Sequence, residues 1–146
     1  MRTLSRIENE IKILLVEDNP ADVKLASLAL EASSLPYVLS ILSNGESAED
    51  FLKQSGPYAG SPRPDIVFLD LNLPRRNGVE VLWDIKQDPA LKDIPVVVLT
   101  VSNDPRIIQE AYDAGANLFM TKPTDLGEFS SLFEYVSRLF TKGGLS

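Results

Sequence analysis

The sequence predicts an α/β fold, a single doubly wound sheet of five parallel strands flanked by five helices. Short apolar, strand-like runs alternate five times with helix-like segments along the chain. Strand–helix–strand crossovers of that kind are right-handed and place helices on both faces of a parallel sheet. The length, 146 residues at 44% hydrophobic and 24% charged, fits one domain with a core of ordinary size.

Each element has its own signals. Ile11 to Val16 is the first apolar run. Asn19 as N-cap and Pro20 at the first helical position open a helix that runs to about Ser33, where Ser34, Leu35 and Pro36 stop it. Tyr37 to Leu42 reads as a second strand, and Gly45 to Gln54 as a short helix. Ser55 to Pro64 is rich in Gly, Pro and Ser and is expected to be mobile. Asp65 to Leu69 is the third strand, followed by a turn around Pro74 and Asn77-Gly78 and a helix from Val79 to Gln87. Val96 to Thr100, β-branched and continuously apolar, predicts a strand buried on both faces. Asp104 to Ala114 is a helix with Pro105 in its first turn and Gly115 as its stop. Leu118 to Thr121 is the fifth strand and Asp125 to Phe140 the last helix. Residues 1–10 are expected to form an N-terminal arm, 11–140 the folded domain, and 141–146 a flexible tail.

Composition removes several chemistries. With no Cys there is no disulfide scaffold, thiolate metal site or Cys nucleophile. With no His there is no Ser-His-Asp triad or His-ligated zinc site. The 21 acids against 14 bases give net −7, which argues against nucleic acid and anionic membranes as partners. The first ten residues lack the apolar stretch of a signal peptide, so the chain reads as cytoplasmic.

In an open parallel sheet the working site lies outside the carboxyl ends of the strands. Glu17 and Asp18 follow the first strand, Asp70 and Asn72 the third, Thr100 closes the fourth, and Lys122 follows the fifth. Each has a plain structural explanation: acids near a helix N-terminus, a turn Asp, a β-favouring Thr, a surface Lys. Their convergence is harder to explain that way. Three carboxylates in one crevice repel one another, and Lys122 supplies only one positive charge. The balance suggests a hard divalent cation on oxygen ligands, most simply Mg²⁺. A carboxylate-held cation beside an amine and a hydroxyl suits phosphoryl chemistry, with Asp70 as nucleophile. Lacking His, the chain cannot itself be the phosphohistidine donor.

Leu14-Leu15-Val16-Glu17-Asp18-Asn19-Pro20, Phe68-Leu69-Asp70-Leu71-Asn72-Leu73-Pro74, Asn77-Gly78, Val98-Leu99-Thr100 and Lys122-Pro123 together resemble the receiver domain of two-component response regulators. The resemblance implies a flavodoxin-like sheet of order 2-1-3-4-5 and phosphorylation of Asp70 by a histidine kinase. It implies Mg²⁺ on Asp18, Asp70 and the backbone carbonyl of Asn72, with Glu17 helping through water. It also implies a conformational switch of Thr100 and Phe119, and a cis Lys122–Pro123 bond. The chain departs from many receivers in having Glu17 as first acid, Phe119 without a hydroxyl, and Val101 after Thr100. The long loop before the third strand, the Asn72-Leu73-Pro74-Arg75-Arg76-Asn77-Gly78 stretch and an expected lack of an output domain make it similar to the small stand-alone regulators paired with cyanobacterial phytochromes, which implies a phytochrome-type kinase and pairing through the C-terminal region. A homodimer is expected through the last helix: Leu126, Phe129, Phe133, Val136 and Phe140 make one core-facing stripe, and Leu132, Tyr135 and Leu139 lie beside it.

Three other readings stay open. A haloacid-dehalogenase-like phosphatase would want a second acid where Asn72 stands. A flavodoxin-like cofactor carrier would want an uncharged phosphate loop where Glu17-Asp18 stands. A receiver-shaped scaffold that is never phosphorylated would not need the full acid–Thr–Lys set.

Overall fold

The computed structural model describes residues 10–33 and 36–141. The expected arm and tail, apart from Glu10 and Thr141, lie outside the described residues, as do Ser34 and Leu35. In chain order the elements are β1 (Ile11–Val16), α1 (Pro20–Ala32), β2 (Tyr37–Leu42), α2 (Gly45–Leu52), β3 (Ile66–Asp70), α3 (Gly78–Gln87), β4 (Val96–Thr100), α4 (Pro105–Asp113), β5 (Leu118–Thr121) and α5 (Leu126–Thr141). The sheet is parallel throughout, in the order β2-β1-β3-β4-β5. No helix among the described residues is long and apolar enough to cross a membrane.

Side-chain alternation along the strands divides the core in two. Leu14, Val16, Val67, Leu69, Val96 and Val98 face one side, where α2, α3 and α4 cover them with Phe51, Leu82, Ile85 and Ala111. Ile13, Leu15, Ile66, Phe68, Val97 and Leu99 face the other, covered by Leu30 of α1 and Phe129, Phe133 and Val136 of α5. Burial on both faces is why β3 and β4 are buried at every position. The edge strands β2 and β5 are only partly covered.

Helix starts follow their caps. Asn19 Oδ1 accepts from the Ala21 and Asp22 N–H groups at 2.9 and 3.3 Å, and Asp104 Oδ1 accepts from Arg106 N–H at 2.9 Å. Asn44 and Asn77 cap α2 and α3 in the same way. Asp125 accepts from Glu128 N–H while the Glu128 carboxylate reaches back to Thr124 N–H, closing the start of α5. The end of α4 needs Gly115: its φ is +106°, and a Cβ there would lie 2.7 Å from Lys86 Cγ.

Several expectations are corrected. The second helix stops at Leu52, because Gln54 takes a positive φ of 54° and leaves the helical region. The third strand extends to Asp70, which pairs with Leu99. Within 55–64 a short 3₁₀ turn, Gly56–Tyr58, is held by Tyr58 edge-on against Phe51, with ring centroids 5.7 Å apart. No peptide bond is cis among the described residues, so Lys122–Pro123 is trans, the isomer that X–Pro bonds favour by about 0.5–1 kcal/mol. On α5, Leu132 is buried in the core at 4% exposure, while Leu126, placed in the core stripe by its spacing, is 42% exposed. The buried set Phe129, Leu132, Phe133 and Val136 follows the i, i+3, i+4, i+7 spacing of one helix face. Leu126 opens the helix, ahead of that face.

Candidate functional site

The buried polar residues of the described chain, Glu17, Asp70 and Thr100, all stand at carboxyl ends of strands. Strand register brings them there together. Val16 pairs with Leu69, so Glu17 and Asp70 leave adjacent strands side by side. Asp70 pairs with Leu99, and Thr100 with Thr121, which places Lys122 beyond the same edge. Lys122 N–H donates to the Thr100 carbonyl at 2.9 Å and fixes the start of the loop after β5.

Alternation then sorts the side chains. Glu17 continues the face of Ile13 and Leu15, Asp70 that of Ile66 and Phe68, and Lys122 that of Leu118 and Met120, all on the α1/α5 side. They meet as an ionic cluster. Lys122 Nζ lies 2.9 Å from Glu17 Oε1, 3.1 Å from Asp70 Oδ2 and 2.9 Å from Asp22 Oδ2. Thr100 continues the face of Val96 and Val98, toward α2, α3 and α4, and so stands outside this cluster. Its Oγ1 accepts from Ser102 N–H at 3.2 Å. Phe119, paired with Val98, packs on Thr100's side of the sheet, its ring centroid 6.2 Å from that of Tyr112. Val101 is exposed beside Thr100.

Asp22 is a member of the cluster that the strand-end reading passed over. Its signal was present: an acid in the first turn of α1, whose N-terminus opens onto the same edge.

The electrostatics are unbalanced. Burial pushes the Glu17 carboxyl up to about 7, against the hydrogen bonds from Lys122 and Asn19 N–H that favour its charge. Burial also opposes the charge on Lys122, but its hydrogen bonds to Glu17 and Asp22 and the neighbouring Asp70 outweigh burial and hold it above the ordinary lysine range. One ammonium therefore serves three carboxylates. Asp18, exposed, adds another: one oxygen from each of Glu17, Asp18 and Asp70 lies within 4.8 Å of the others. All-oxygen donors, an excess of negative charge and two buried carboxylates fit a hard divalent cation. Asn72 N–H donates to Asp70 Oδ1 at 3.0 Å, orienting the carboxylate, while the Asn72 side chain is exposed.

The loop after Asp70 is held against the site by a close approach. Gly78 N–H donates to Leu71 O at 3.1 Å, and a Cβ on Gly78 would lie 2.5 Å from Leu71 Cα and 2.8 Å from Asp70 O. Gly78→Ala must therefore displace the backbone that carries Asp70. It is expected to destabilise the fold by about 1–3 kcal/mol and to weaken cation binding, as measured by urea unfolding and calorimetry.

The chain is similar in sequence and fold to known proteins. The profile of the response regulator receiver domain family matches residues 13–134. Response regulator Rcp1 from Synechocystis sp. is 44% identical over 122 residues, covering 84% of this chain and 83% of Rcp1. The crystal structure of its Mn²⁺-bound form superposes with a TM-score of 0.81 at 42% identity, covering 89% of this chain and 94% of that one. The phosphorylated cyanobacterial phytochrome response regulator RcpA superposes with a TM-score of 0.84 at 41% identity, covering 90% of this chain and 94% of that one. With the sheet order, the acidic strand edge and a family match running through almost all of the folded chain, the protein belongs to the response regulator receiver domain family.

Proposed function

We propose that residues 11–140 act as a phosphorylation-controlled switch in which Asp70 accepts a phosphoryl group from the phosphohistidine of a sensor kinase. The observation that carries this reading is the buried Asp70 carboxylate, 3.1 Å from Lys122 Nζ at the end of the central strand. A carboxylate oxygen of Asp70 attacks phosphorus. The O–P bond forms as the donor's N–P bond breaks, and the donor ring, already protonated on its other nitrogen, takes the electron pair and departs as neutral imidazole. Lys122, released in part from Asp70, binds one phosphoryl oxygen, and the Thr100 hydroxyl donates to another. A Mg²⁺ ion held by Asp18, Asp70 and the Asn72 carbonyl, with Glu17 behind them, would neutralise phosphoryl charge. As Thr100 turns toward the phosphoryl group it vacates space on its own side of the sheet, the side on which Phe119 packs. Phosphorylation thereby biases a two-state element.

Incubation with acetyl phosphate and Mg²⁺ is expected to add about 80 Da, the mass of one phosphoryl group, on the peptide that contains Asp70. Chelator is expected to stop the addition. Labelling elsewhere, or equal labelling in chelator, overturns the assignment.

The likeness to RcpA supports a phytochrome-type histidine kinase as donor. We also propose a homodimer through α5 and β5. Tyr135 and Leu126 are exposed on α5, and Leu139 is half-buried beside them. Sedimentation at micromolar concentration is expected to show a dimer. Leu126→Glu with Tyr135→Glu, both outside the core, is expected to give a folded monomer. A wild-type monomer in both the free and phosphorylated forms rejects the pairing.

A further inference from the structure

A second surface stands apart from the acidic strand edge. Between α3 and α4 lies a groove of about 390 Å³ with Val79 and Trp83 among its apolar lining. Glu80 and Asp84 line it from α3, Glu110 and Asp113 from α4.

Trp83 is 51% exposed and makes no ring contact among the described residues. An indole left half in water forgoes burial that a core tryptophan would gain, and tryptophan is among the residues most enriched where binding energy concentrates.

Of the four carboxylates around it, Glu110 and Asp113 have no ion pair among the described residues. Arg76, at one end of the groove, is committed to Glu49 and Asp84, with Glu80 at 3.7 Å. Glu110 forms no ion pair among the described residues. Asp113 accepts a hydrogen bond from Gln109 at 2.8 Å, a neutral donor. Both acids lie in the second half of α4, and its last turn has no basic residue. Carboxylates near a helix C-terminus oppose the macrodipole and reduce stability. The Gln109 hydrogen bond to Asp113 offsets part of that cost, and Glu110 has no such partner among the described residues.

A π face flanked by unpaired carboxylates attracts a cation with an apolar stem. The geometry points to the α3–α4 groove as a docking site for a basic protein segment, one Arg or Lys side chain lying over the Trp83 indole with its charge between Glu110 and Asp113. Charge complementarity selects this occupant. The acidic walls repel nucleic acid and any acidic protein surface. The site uses none of the residues assigned to phosphoryl transfer, so it stands or falls separately from that assignment.

Trp83 is the single tryptophan of the chain, so its emission reports the groove directly. Titration with a capped peptide of alternating arginine and alanine is expected to give a saturable change in Trp83 fluorescence that weakens as salt is added. Glu110→Gln with Asp113→Asn is expected to weaken binding about tenfold. Glu31→Gln with Glu134→Gln removes the same charge from exposed positions on α1 and α5 and is expected to leave the affinity unchanged. By calorimetry, Trp83→Leu is expected to lose affinity as well. The proposal is overturned if no saturable binding occurs, if a peptide with glutamate in place of arginine binds as well, or if both charge-removal variants weaken binding equally.

Discussion

Lys122→Met is expected to destabilise the cation-free protein by about 3–5 kcal/mol above neutral pH, because it leaves buried acids without their counter-charge. Glu17 and Asp70 are each 3% exposed, and Lys122 Nζ sits within 3.1 Å of both. The pH dependence identifies the cause. Burial raises the Glu17 carboxyl from 4.5 to about 7. An acid raised in the folded state contributes stability that is fully present below its unfolded value and is lost as pH rises through its folded value. In the wild-type protein that loss falls between 4.5 and about 7. Lys122 opposes the upward shift of Glu17, so removing it pushes the carboxyl higher still and extends the loss to higher pH. The gap between variant and wild type is therefore expected to be widest on the alkaline side and to narrow on acidification. Urea unfolding in chelator across a pH series measures it. A gap independent of pH would mean that Lys122 contributes packing rather than charge.

Asp70→Asn is expected to abolish labelling by acetyl phosphate completely while leaving a folded protein. The amide oxygen still accepts the hydrogen bond that Asn72 N–H makes to Asp70 Oδ1 at 3.0 Å, so the loop keeps its anchor. Lys122 retains Glu17 and Asp22. One buried charge leaves a crevice that holds too many of the same sign, so the cation-free variant is expected to be more stable than wild type, by about 1 kcal/mol. Mass spectrometry after incubation reads the first effect and thermal unfolding in chelator the second. Full labelling of the Asn variant would move the acceptor to another carboxylate.

Much of the molecule is legible in the linear sequence because the signals are local. Asn19-Pro20 starts α1 and Gly115 ends α4, since capping and positive φ depend on single residues. Ile11–Val16, Tyr37–Leu42, Val96–Thr100 and Leu118–Thr121 are strands with the bounds their apolar runs predict. The residues at the strand ends are legible too, since a parallel sheet with helices on both faces sends every strand's carboxyl end to one edge.

Other features needed the partner strands and helices. Period alone marks a wide apolar face on α5 but not its centre. The docked helix turns Leu132 inward and leaves Leu126 in water, so the surface open to a partner holds Leu126 and Tyr135 rather than Leu132. Asp22 reads as an ordinary first-turn acid until α1 packs on the sheet and carries it to 2.9 Å from Lys122. Strand register decided the division of the site itself. The sequence determined that Glu17, Asp70, Thr100 and Lys122 would reach the same edge. Only the tertiary structure put the two acids and the lysine on the α1/α5 side and Thr100 with Phe119 on the other. Side chains alternate with a period of two, so the side on which a strand-end residue emerges depends on how its strand is seated in the sheet, and long-range pairing sets that seating.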